Sequence, residues 1–419
     1  MDRLVIEGGT RLVGTVGISG AKNAVLPLMA AALLADGSTT LTNVPRLKDI
    51  ETFTDLFSHM GCGVFADPEA GTLRINASRL TRMEAPYDLV KTMRASILVL
   101  GPLVARFKTA RVSLPGGCAI GARPVNLHLM GLEKMGADVA IEHGYITVKT
   151  SGLKGARIYL DTSTVTGTEN LMLAAVYADG ETVIENAALE PEVVELAQAL
   201  KKMGAAIEGA GTDTIRISGV KELRPLEYSV MPDRIEAGTF MVASAMTRGN
   251  VLIKNCPLAN LESLSTKLVD AGAGITAEEG GVRVTGNWPI KSVDMKTCPY
   301  PGFPTDMQAQ MMAMMAMASG LSVITETIFE NRFMHVAELR RMGADITVDG
   351  RNAIIKGLGR LSGAPLMATD LRASAGLVLA GVVADGTTEI SRIYHLDRGY
   401  EGIEVKLNRL GANIKRIKE

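Results

Sequence analysis

Six stretches of the chain share one pattern of polar and apolar positions. Each opens with a short polar or charged cluster and continues as an almost unbroken apolar run. The six stretches are GAKNAVLPLMAA (20–31), DLVKTMRASILV (88–99), DTSTVTGTENLM (161–172), PDRIEAGTFMVA (232–243), PTDMQAQMMAMM (304–315) and TDLRASAGLVLA (369–380). Because a helix that is apolar on every side is normally buried, the pattern predicts six buried helices whose N-terminal ends are polar.

A second pattern recurs between these stretches, in the form of KMGADVAI (134–141) or RMGADITV (341–348). It reads as the end of a helix, a glycine at the C′ position, and a strand of alternating residues. Its glycines are Gly61, Gly136, Gly204, Gly272, Gly343 and Gly411, at intervals of 75, 68, 68, 71 and 68 residues. Such self-similarity indicates a repeat. We therefore predict six βαβαββ units in an α/β fold.

The length of the repeat favours a two-lobed globular protein over a stacked solenoid, because solenoid units usually span roughly 20–45 residues. The chain ends at IKRIKE, short of a terminal strand, while MDRLVIEGGTRLVGTVGI supplies strands ahead of the first buried helix. We therefore expect the N-terminal strands to complete the last unit. The predicted lobes, of three units each, are 22–229 and the discontinuous 1–21 with 230–419.

The polar helix ends indicate anion binding, since helix N-termini carry free N–H groups and a partial positive charge. Four of them also carry a cationic side chain, on Lys22, Arg94, Arg234 and Arg372. A cation in the first turn opposes the helix dipole, so we interpret these four as partners of a bound anion. Other polar residues at these ends read individually as ordinary N-caps, namely Thr164, Asp233, Asp306 and Asp370.

Composition narrows the classes of function. The 44 basic and 45 acidic residues nearly cancel, so no basic surface for nucleic acid is indicated. The longest apolar runs, such as MMAMMAMA (311–318), are shorter than the ~20 residues of a membrane span. MDRLVIEGGT lacks the features of a secretory signal, and four scattered cysteines lack metal-ligand spacing. We therefore expect a cytoplasmic protein with free thiols and no metal, nucleic acid or membrane partner.

One of these cysteines has a distinctive setting. LPGGCAIGARP (114–124) places Cys118 in a glycine-rich bend, five residues ahead of Arg123. The glycines leave the backbone permissive, which suits a loop that closes over a ligand. The nearby arginine would favour the thiolate, so Cys118 is the candidate working thiol. The other three cysteines, Cys62, Cys256 and Cys298, are expected to be structural or without an evident role.

Seven motifs resemble the bacterial UDP-N-acetylglucosamine enolpyruvyl transferases, a family of 1-carboxyvinyltransferases. They are SGAKNA (19–24), PGGCAIGARPV (115–125), MPDRIEAGTF (231–240), FPTDMQAQ (303–310), ITETIFENRFMHV (324–336), ATDLRAS (368–374) and YHLDRGYE (394–401). The resemblance covers the whole chain. It implies a two-lobed inside-out α/β barrel, with three βαβαββ repeats in each lobe and an active site in the interdomain cleft.

The resemblance also implies a reaction. The enolpyruvyl group of phosphoenolpyruvate is transferred to the 3′-hydroxyl of UDP-N-acetylglucosamine through a tetrahedral ketal, and phosphate is released. This is the first committed step of peptidoglycan synthesis, hence of cell-wall formation, cell shape and cell division, and the target of fosfomycin. No cofactor and no obligate protein partner is implied. The alternatives are a 3-phosphoshikimate 1-carboxyvinyltransferase, which would not need the loop cysteine, and a non-catalytic regulator that binds a nucleotide sugar.

Residue roles follow from the resemblance, motif by motif. Cys118 delivers a proton to C3 of phosphoenolpyruvate and can add to C2 as a phospholactoyl thioether, while Asp306 takes or orients the proton of the sugar hydroxyl. Lys22, Arg123 and Arg398 hold the anionic groups, and Asp370 with Arg372 supports the intermediate and the proton steps. The remaining substrate contacts implied are Asn23, Arg94, Pro124, Val125, Asn126, Leu127, Thr164, Val165, Thr166 and Ile328.

Two positions depart from the family pattern. The chain has PVNLH where PVDLH is expected, so Asn126 replaces an aspartate and loop contacts that depend on charge are not carried over. Thr162 stands near the place where some members carry a lysine, so a diphosphate contact by that lysine is not carried over either.

Overall fold

The computed structural model describes residues 2–91, 93–114 and 125–418. Contacts among them divide the chain into two compact units. Unit I comprises residues 2–19 and 232–418, and unit II comprises the described residues from 20 to 231. The sequence pattern placed the boundaries at 21/22 and 229/230, whereas the contacts place them at 19/20 and 231/232.

Local hydrogen bonds account for these boundaries. In unit I the Ser19 carbonyl accepts from the Asp233 N–H at 2.9 Å, and in unit II the Met231 carbonyl accepts from the Ala21 N–H at 2.7 Å.

Strands and helices are interspersed along the described chain. The strands are β1 (Arg3–Glu7), β2 (Val13–Gly17), β3 (Ser38–Thr42), β4 (Gly63–Asp67), β5 (Thr72–Asn76), β6 (Glu84–Ala85), β7 (Thr109–Ser113), β8 (Asp138–Glu142), β9 (Tyr145–Lys149), β10 (Arg157–Tyr159), β11 (Glu181–Glu185), β12 (Ala206–Glu208), β13 (Thr214–Ser218), β14 (Glu227–Ser229), β15 (Asn250–Lys254), β16 (Gly274–Glu278), β17 (Gly281–Thr285), β18 (Met295–Lys296), β19 (Ser319–Thr325), β20 (Asp345–Asp349), β21 (Asn352–Leu358), β22 (Pro365–Met367), β23 (Thr387–Ser391) and β24 (Asn413–Ile417). The α-helices are α1 (Lys22–Ala32), α2 (Lys48–Met60), α3 (Tyr87–Val90), α4 (Leu100–Phe107), α5 (Asn126–Lys134), α6 (Val165–Ala175), α7 (Pro191–Met203), α8 (Arg234–Met246), α9 (Glu262–Asp270), α10 (Gln308–Ala316), α11 (Val336–Arg341), α12 (Leu371–Val383) and α13 (Ile403–Arg409). Short 3-10 helices occupy Arg94–Val99, Leu258–Asn260, Thr305–Met307 and Ile393–Arg398.

The described strands form six four-stranded sheets, three in each unit. In unit I the strand orders are β22-β23-β1-β24, β16-β17-β15-β2 and β18-β19-β21-β20. In unit II they are β14-β3-β5-β4, β6-β7-β9-β8 and β10-β11-β13-β12. Every sheet contains one parallel and two antiparallel pairings, such as β10 with β11 and β11 with β13. The predicted α/β fold of six βαβαββ repeats is confirmed.

The N-terminal strands belong to repeats that lie far along the chain. β1 lies between β23 and β24, with Leu4 opposite Ile390 and Ile6 opposite Ile414. The N-terminal strand therefore completes the last repeat, as predicted. β2 pairs in parallel with β15 in unit I, and β14 pairs in parallel with β3 in unit II.

In each unit buried helices such as α6 and α8 form the interior and the sheets carry exposed faces, while other helices such as α9 are partly exposed. Every residue of α8 is buried, and so is every residue of α12 from Arg372 to Val382. The strands alternate instead, as in β15, where Val251 and Ile253 are buried and Lys254 is exposed. This arrangement confirms the prediction of buried helices and gives each unit its inside-out character.

One predicted helix is broken into pieces. The stretch 88–99 forms the end of α3, an extended residue at Met93, and the 3-10 helix Arg94–Val99, before α4 begins. Pro102 lies in the first turn of α4 and has no N–H to donate to the carbonyl of Leu98. A continuous α-helix through this segment would therefore lack a hydrogen bond, and α4 begins at Leu100 instead.

Glycine allows the interior helices to approach closely. A Cβ on Gly376 of α12 would lie 2.8 Å from the Ala309 carbonyl oxygen of α10. Real Cβ atoms do not come this close to backbone oxygen, so glycine is required where α10 and α12 cross. The N-terminal segments of these two helices carry the charged cluster described next.

Candidate active site

Asp306 lies between two buried arginines in unit I. Its Oδ1 accepts a hydrogen bond from Arg332 Nη2 at 2.8 Å, and its Oδ2 accepts one from Arg372 Nε at 3.1 Å. The Arg332 and Arg372 side chains are 4% and 5% exposed, whereas that of Asp306 is 26% exposed. Of these three charged groups, the carboxylate is therefore the most accessible to a ligand.

Three segments bring this cluster together. Asp306 is in the 3-10 helix ahead of α10, Arg332 is in the loop ahead of α11, and Arg372 is the second residue of α12. Thr305 links two of these segments, because its hydroxyl accepts from Arg332 Nη1 at 2.9 Å. The same hydroxyl donates to Glu326 Oε2 at 2.8 Å.

Glu326 is a buried carboxylate that the sequence reasoning missed. Its Oε1 accepts from the Thr297 hydroxyl at 2.9 Å and from the N–H groups of Ile328 and Phe329 at 2.8 and 3.1 Å. A glutamate directly after a strand, inside the motif that contains Ile328, was the available signal. Because the Ile328 N–H donates to Glu326, a ligand at Ile328 would have to contact its carbonyl or its side chain.

Three of the polar residues at helix starts are N-caps, as the sequence predicts for each of them taken singly. Asp370 Oδ1 accepts from the Arg372 and Ala373 N–H groups, both at 3.0 Å. Asp233 and Thr164 cap α8 and α6 in the same way. Asp306 is not a cap, since its 3-10 helix has Pro304 at the N-cap position and no side-chain capping bond.

Two of the first-turn cations stand beside protein carboxylates. Arg372 pairs with Asp306, and in unit II Lys22 Nζ lies 2.5 Å from Asp49 Oδ2. Asp49 is almost fully buried, and the Lys22 side chain is 12% exposed. These carboxylates already offset the unfavourable position of each cation against its helix dipole, so anion binding at both stays a prediction.

A buried polar network supports Arg372. The Tyr400 hydroxyl lies 2.9 Å from Thr239 Oγ1 and accepts from Gln310 Nε2 at 3.1 Å. The Arg372 guanidinium carbon lies 5.2 Å from the centre of the Tyr400 ring. Burial alone would lower the pKa of Arg372, but Tyr400 and Asp306 raise it above its ordinary value, so the guanidinium stays charged. Burial has the opposite effect on an acid and raises the pKa of the Tyr400 phenol.

The remaining predicted residues of unit II lie near the starts of helices. Arg94 begins a 3-10 helix, Val125 is the N-cap residue of α5, and Thr164 is that of α6. The other predicted substrate contacts in this unit are Asn23 and Asn126, both exposed, and the half-buried Leu127, Val165 and Thr166.

Arg398 ends the 3-10 helix Ile393–Arg398 in unit I and is half-buried. Burial, with the Arg398 charge as a second cause, lowers the pKa of the neighbouring His395.

Three predicted residues, Cys118, Arg123 and Pro124, lie outside the described residues. The other cysteines are free thiols. Burial raises the pKa of Cys62 to about 12 and that of Cys256 to about 11. Both thiols stay protonated and unreactive at neutral pH, which agrees with the structural role predicted for them. Within the described ranges, no helix is long and apolar enough to cross a membrane.

Comparison with known proteins defines the class. The family model for EPSP synthase (3-phosphoshikimate 1-carboxyvinyltransferase) matches residues 6–407. The enolpyruvyl transferase NikO from Streptomyces tendae superposes with a TM-score of 0.90 at 26% identity, covering 100% of this chain and 99% of that one. EPSP synthase from Acinetobacter baumannii superposes with a TM-score of 0.78 at 20% identity, covering both chains fully. The chain belongs to the EPSP synthase family of enolpyruvyl transferases.

Sequence relatives are more specific. A protein from Trichlorobacter lovleyi is 60% identical, and one from Thermodesulfovibrio yellowstonii 59%, each over 100% of both chains. Both carry the name UDP-N-acetylglucosamine 1-carboxyvinyltransferase. The resemblance drawn from the motifs is thus confirmed, and the 3-phosphoshikimate alternative is not favoured, because at 20% identity its representatives share only the fold.

Proposed function

We propose that this protein transfers the enolpyruvyl group of phosphoenolpyruvate to the 3′-hydroxyl of UDP-N-acetylglucosamine and releases phosphate. Full-length relatives at 57–60% identity carry the corresponding name. The geometric observation that supports it is the partly exposed Asp306 carboxylate held by two buried arginines. Such a carboxylate can accept the proton of a sugar hydroxyl, and the two arginines can stabilise the negative charge that develops on the sugar oxygen.

The chemistry is an addition followed by an elimination. The Cys118 thiol delivers a proton to C3 of phosphoenolpyruvate, and the sugar 3′-oxygen forms a bond to C2 as its proton leaves towards Asp306. The product is a tetrahedral ketal that still carries phosphate. The bond between C2 and the phosphate oxygen then breaks, and the phosphate leaves with the proton that came from the sugar hydroxyl. C3 returns a proton to the Cys118 thiolate as the C2–C3 double bond forms again. Each proton transfer needs a group placed within hydrogen-bond reach.

Asp306 can bind the sugar hydroxyl while both arginine bonds remain, because each carboxylate oxygen can accept two hydrogen bonds. Each of its oxygens accepts a charge-assisted hydrogen bond from a guanidinium, and such bonds are stronger than neutral ones. The sugar hydroxyl therefore donates to an oxygen that also accepts from an arginine before its proton is taken.

Cationic side chains hold the anionic substrate. Lys22, Arg123 and Arg398 bind the carboxylate and phosphate of phosphoenolpyruvate, with arginine offering a planar fork and lysine a point charge. Asp370 and Arg372 support the intermediate. Because Oδ1 of Asp370 caps α12, Oδ2 is the Asp370 atom that we expect to take part in proton transfer.

The nucleotide sugar is bound by residues near helix starts, whose N–H groups favour phosphate. These contacts comprise Asn23, Arg94, Arg123, Pro124, Val125, Asn126, Leu127, Thr164, Val165, Thr166 and Ile328. In the cell the reaction belongs to the cytoplasm and begins peptidoglycan synthesis, so its loss would affect cell shape and division.

The decisive experiment offers the purified chain two acceptors. Phosphate release from phosphoenolpyruvate is measured with UDP-N-acetylglucosamine and, separately, with shikimate 3-phosphate. We expect turnover only with the nucleotide sugar. Turnover only with shikimate 3-phosphate would replace the proposal, and binding of the nucleotide sugar without any turnover would indicate a regulator.

The role of Cys118 is tested by substitution. Cys118→Ala should lower kcat by at least about 100-fold, the usual range for a lost general acid. Cys298→Ala removes another free thiol and serves as the matched control. Fosfomycin should add its mass to the wild-type chain and to the control but not to Cys118→Ala. Normal turnover by Cys118→Ala would exclude the acid role.

A further inference from the structure

Asn170 is a buried amide in α6 of unit II, only 1% exposed. Its Oδ1 accepts from the Gly101 N–H at 2.6 Å, and its Nδ2 donates to the Ile97 carbonyl at 3.0 Å. Nδ2 also lies 2.9 Å from Nδ1 of His128, which is 2% exposed. One amide thus satisfies partners from three other segments of the chain.

These contacts determine the state of His128. The two backbone partners fix which end of the amide is oxygen, so its NH2 group faces the histidine. His128 Nδ1 must then accept, and the neutral ring carries its proton on Nε2. Burial, with the Arg94 charge as a lesser cause, lowers the pKa of His128 to about 4. The ring is therefore neutral at physiological pH, as the hydrogen bond requires.

The segments that meet at Asn170 begin with predicted substrate contacts. The 3-10 helix that contains Ile97 begins at Arg94. His128 is in the first turn of α5, directly after Asn126 and Leu127. Asn170 itself lies in α6, whose N-cap is Thr164.

The packing leaves little freedom at this junction. A Cβ on Gly101 would lie 2.3 Å from the Asn170 carbonyl oxygen and 2.5 Å from its Oδ1. Such contacts are not tolerated, so α4 and α6 meet at a distance that only glycine allows. A small displacement of the amide would therefore be passed to all of its partners, because packed interiors transmit strain.

We propose that Asn170 is a positioning residue for the nucleotide sugar: through His128 and the Ile97 carbonyl it holds the α5 start and Arg94 in place relative to the α6 start. The proposal rests on the proposed function, because the three segments are substrate contacts only in that reaction. Asn170 is fully inside the protein and acts without touching substrate. No motif indicated it, since the bonds join residues 42 to 73 positions apart.

The first experiment compares Asn170→Ala with a matched control. Asn408 also uses both amide atoms, accepting from the Ile414 N–H and donating to the Ile414 carbonyl, each at 2.8 Å, but in unit I between α13 and β24. Both variants should have lower melting temperatures. Only Asn170→Ala should raise the KM for UDP-N-acetylglucosamine. We expect an increase of about tenfold, which corresponds to the loss of one hydrogen bond between the protein and the nucleotide sugar. Folded Asn170→Ala with a wild-type KM would overturn the proposal.

The second experiment changes the histidine and keeps Asn170 with its backbone bonds. His128→Asn retains an acceptor near the position of Nδ1, whereas His128→Leu removes it. We expect a wild-type KM for the first and a raised KM for the second. The double variant Asn170→Ala/His128→Leu should have the same KM as Asn170→Ala alone, because His128 acts through its bond to Asn170. Equal KM values for the two His128 variants would overturn the proposal. A wild-type chain inactive with UDP-N-acetylglucosamine would instead refute the proposed function.

Discussion

Acid should destabilise this protein through His128, because the folded state holds the ring neutral. In the unfolded chain the ordinary pKa is 6.5, whereas burial lowers it to about 4 in the folded protein. As the pH falls below 6.5 the unfolded state takes up the proton first. The free energy of unfolding is therefore greatest above pH 6.5 and is lost as the pH falls towards 4.

The size of the loss follows from the two pKa values. At pH 5 the unfolded histidine is almost fully protonated and the folded one almost fully neutral, which lowers the free energy of unfolding by about 2 kcal/mol. Below pH 4 the contribution levels off at about 3 kcal/mol. This is a sizeable part of the 5–15 kcal/mol, roughly, that stabilises a typical protein.

Urea unfolding at pH 8 and pH 5 measures the effect when wild type is compared with His128→Asn. The asparagine keeps the acceptor for Asn170 and cannot titrate, while all carboxyl groups are common to both proteins. Wild type should therefore lose about 2 kcal/mol more than the variant between the two pH values. If both lose the same amount, the ring is not held neutral in the folded state and the reasoning is wrong.

Three further outcomes are expected. Arg332→Met should lower kcat at least about tenfold in the phosphate-release assay, because Asp306 loses a charge-assisted bond; a change below twofold would make that bond irrelevant to catalysis. Gly101→Ala should lower the free energy of unfolding by about 1–3 kcal/mol through overpacking, whereas Gly17→Ala, with no atom within 4 Å of its added Cβ, should not, and equal urea midpoints would contradict this. His335, whose pKa burial also lowers to about 4, should show the same acid sensitivity, so His335→Asn should lose less stability than wild type at pH 5.

The repeat and its buried helices could be predicted because each depends on neighbouring positions. An apolar run such as that of α12 predicts burial on its own, and a glycine such as Gly343 marks a helix end locally. The place of β1 in the last repeat could also be predicted, since IKRIKE lacked a following strand. The break at Met93 could not be seen in the polar pattern, because the stretch 88–99 contains no glycine or proline that would mark it.

The site residues that sequence reasoning missed act through contacts distant in the chain. Tyr400 is 161 positions from Thr239, and Glu326 is 29 from Thr297. Glu326 had a local signal in its place directly after a strand, but the partners of both residues are revealed only by packing. The helix positions of Lys22 and Arg372 predict a role for both, but not their carboxylate partners, because Asp49 and Asp306 come from other segments.

The pairing of β1 has a consequence for how this chain is made. Unit II is one stretch of sequence, so a ribosome can finish it while residues 2–19 still await most of unit I. Synthesis runs at roughly 5–20 residues per second, so β1 waits about 20–80 seconds before β23 and β24 emerge at positions 387–417. During that time its apolar face needs protection from other partners.

The same pairing offers a way to remove this delay. Arg3 lies opposite Ile417, so a short linker can join the first and last residues of this sequence. New ends opened between residues 19 and 20 would place unit II first and then unit I as one stretch, with β1 and β2 translated directly after β24. Such a circular permutant would release each unit from the ribosome complete.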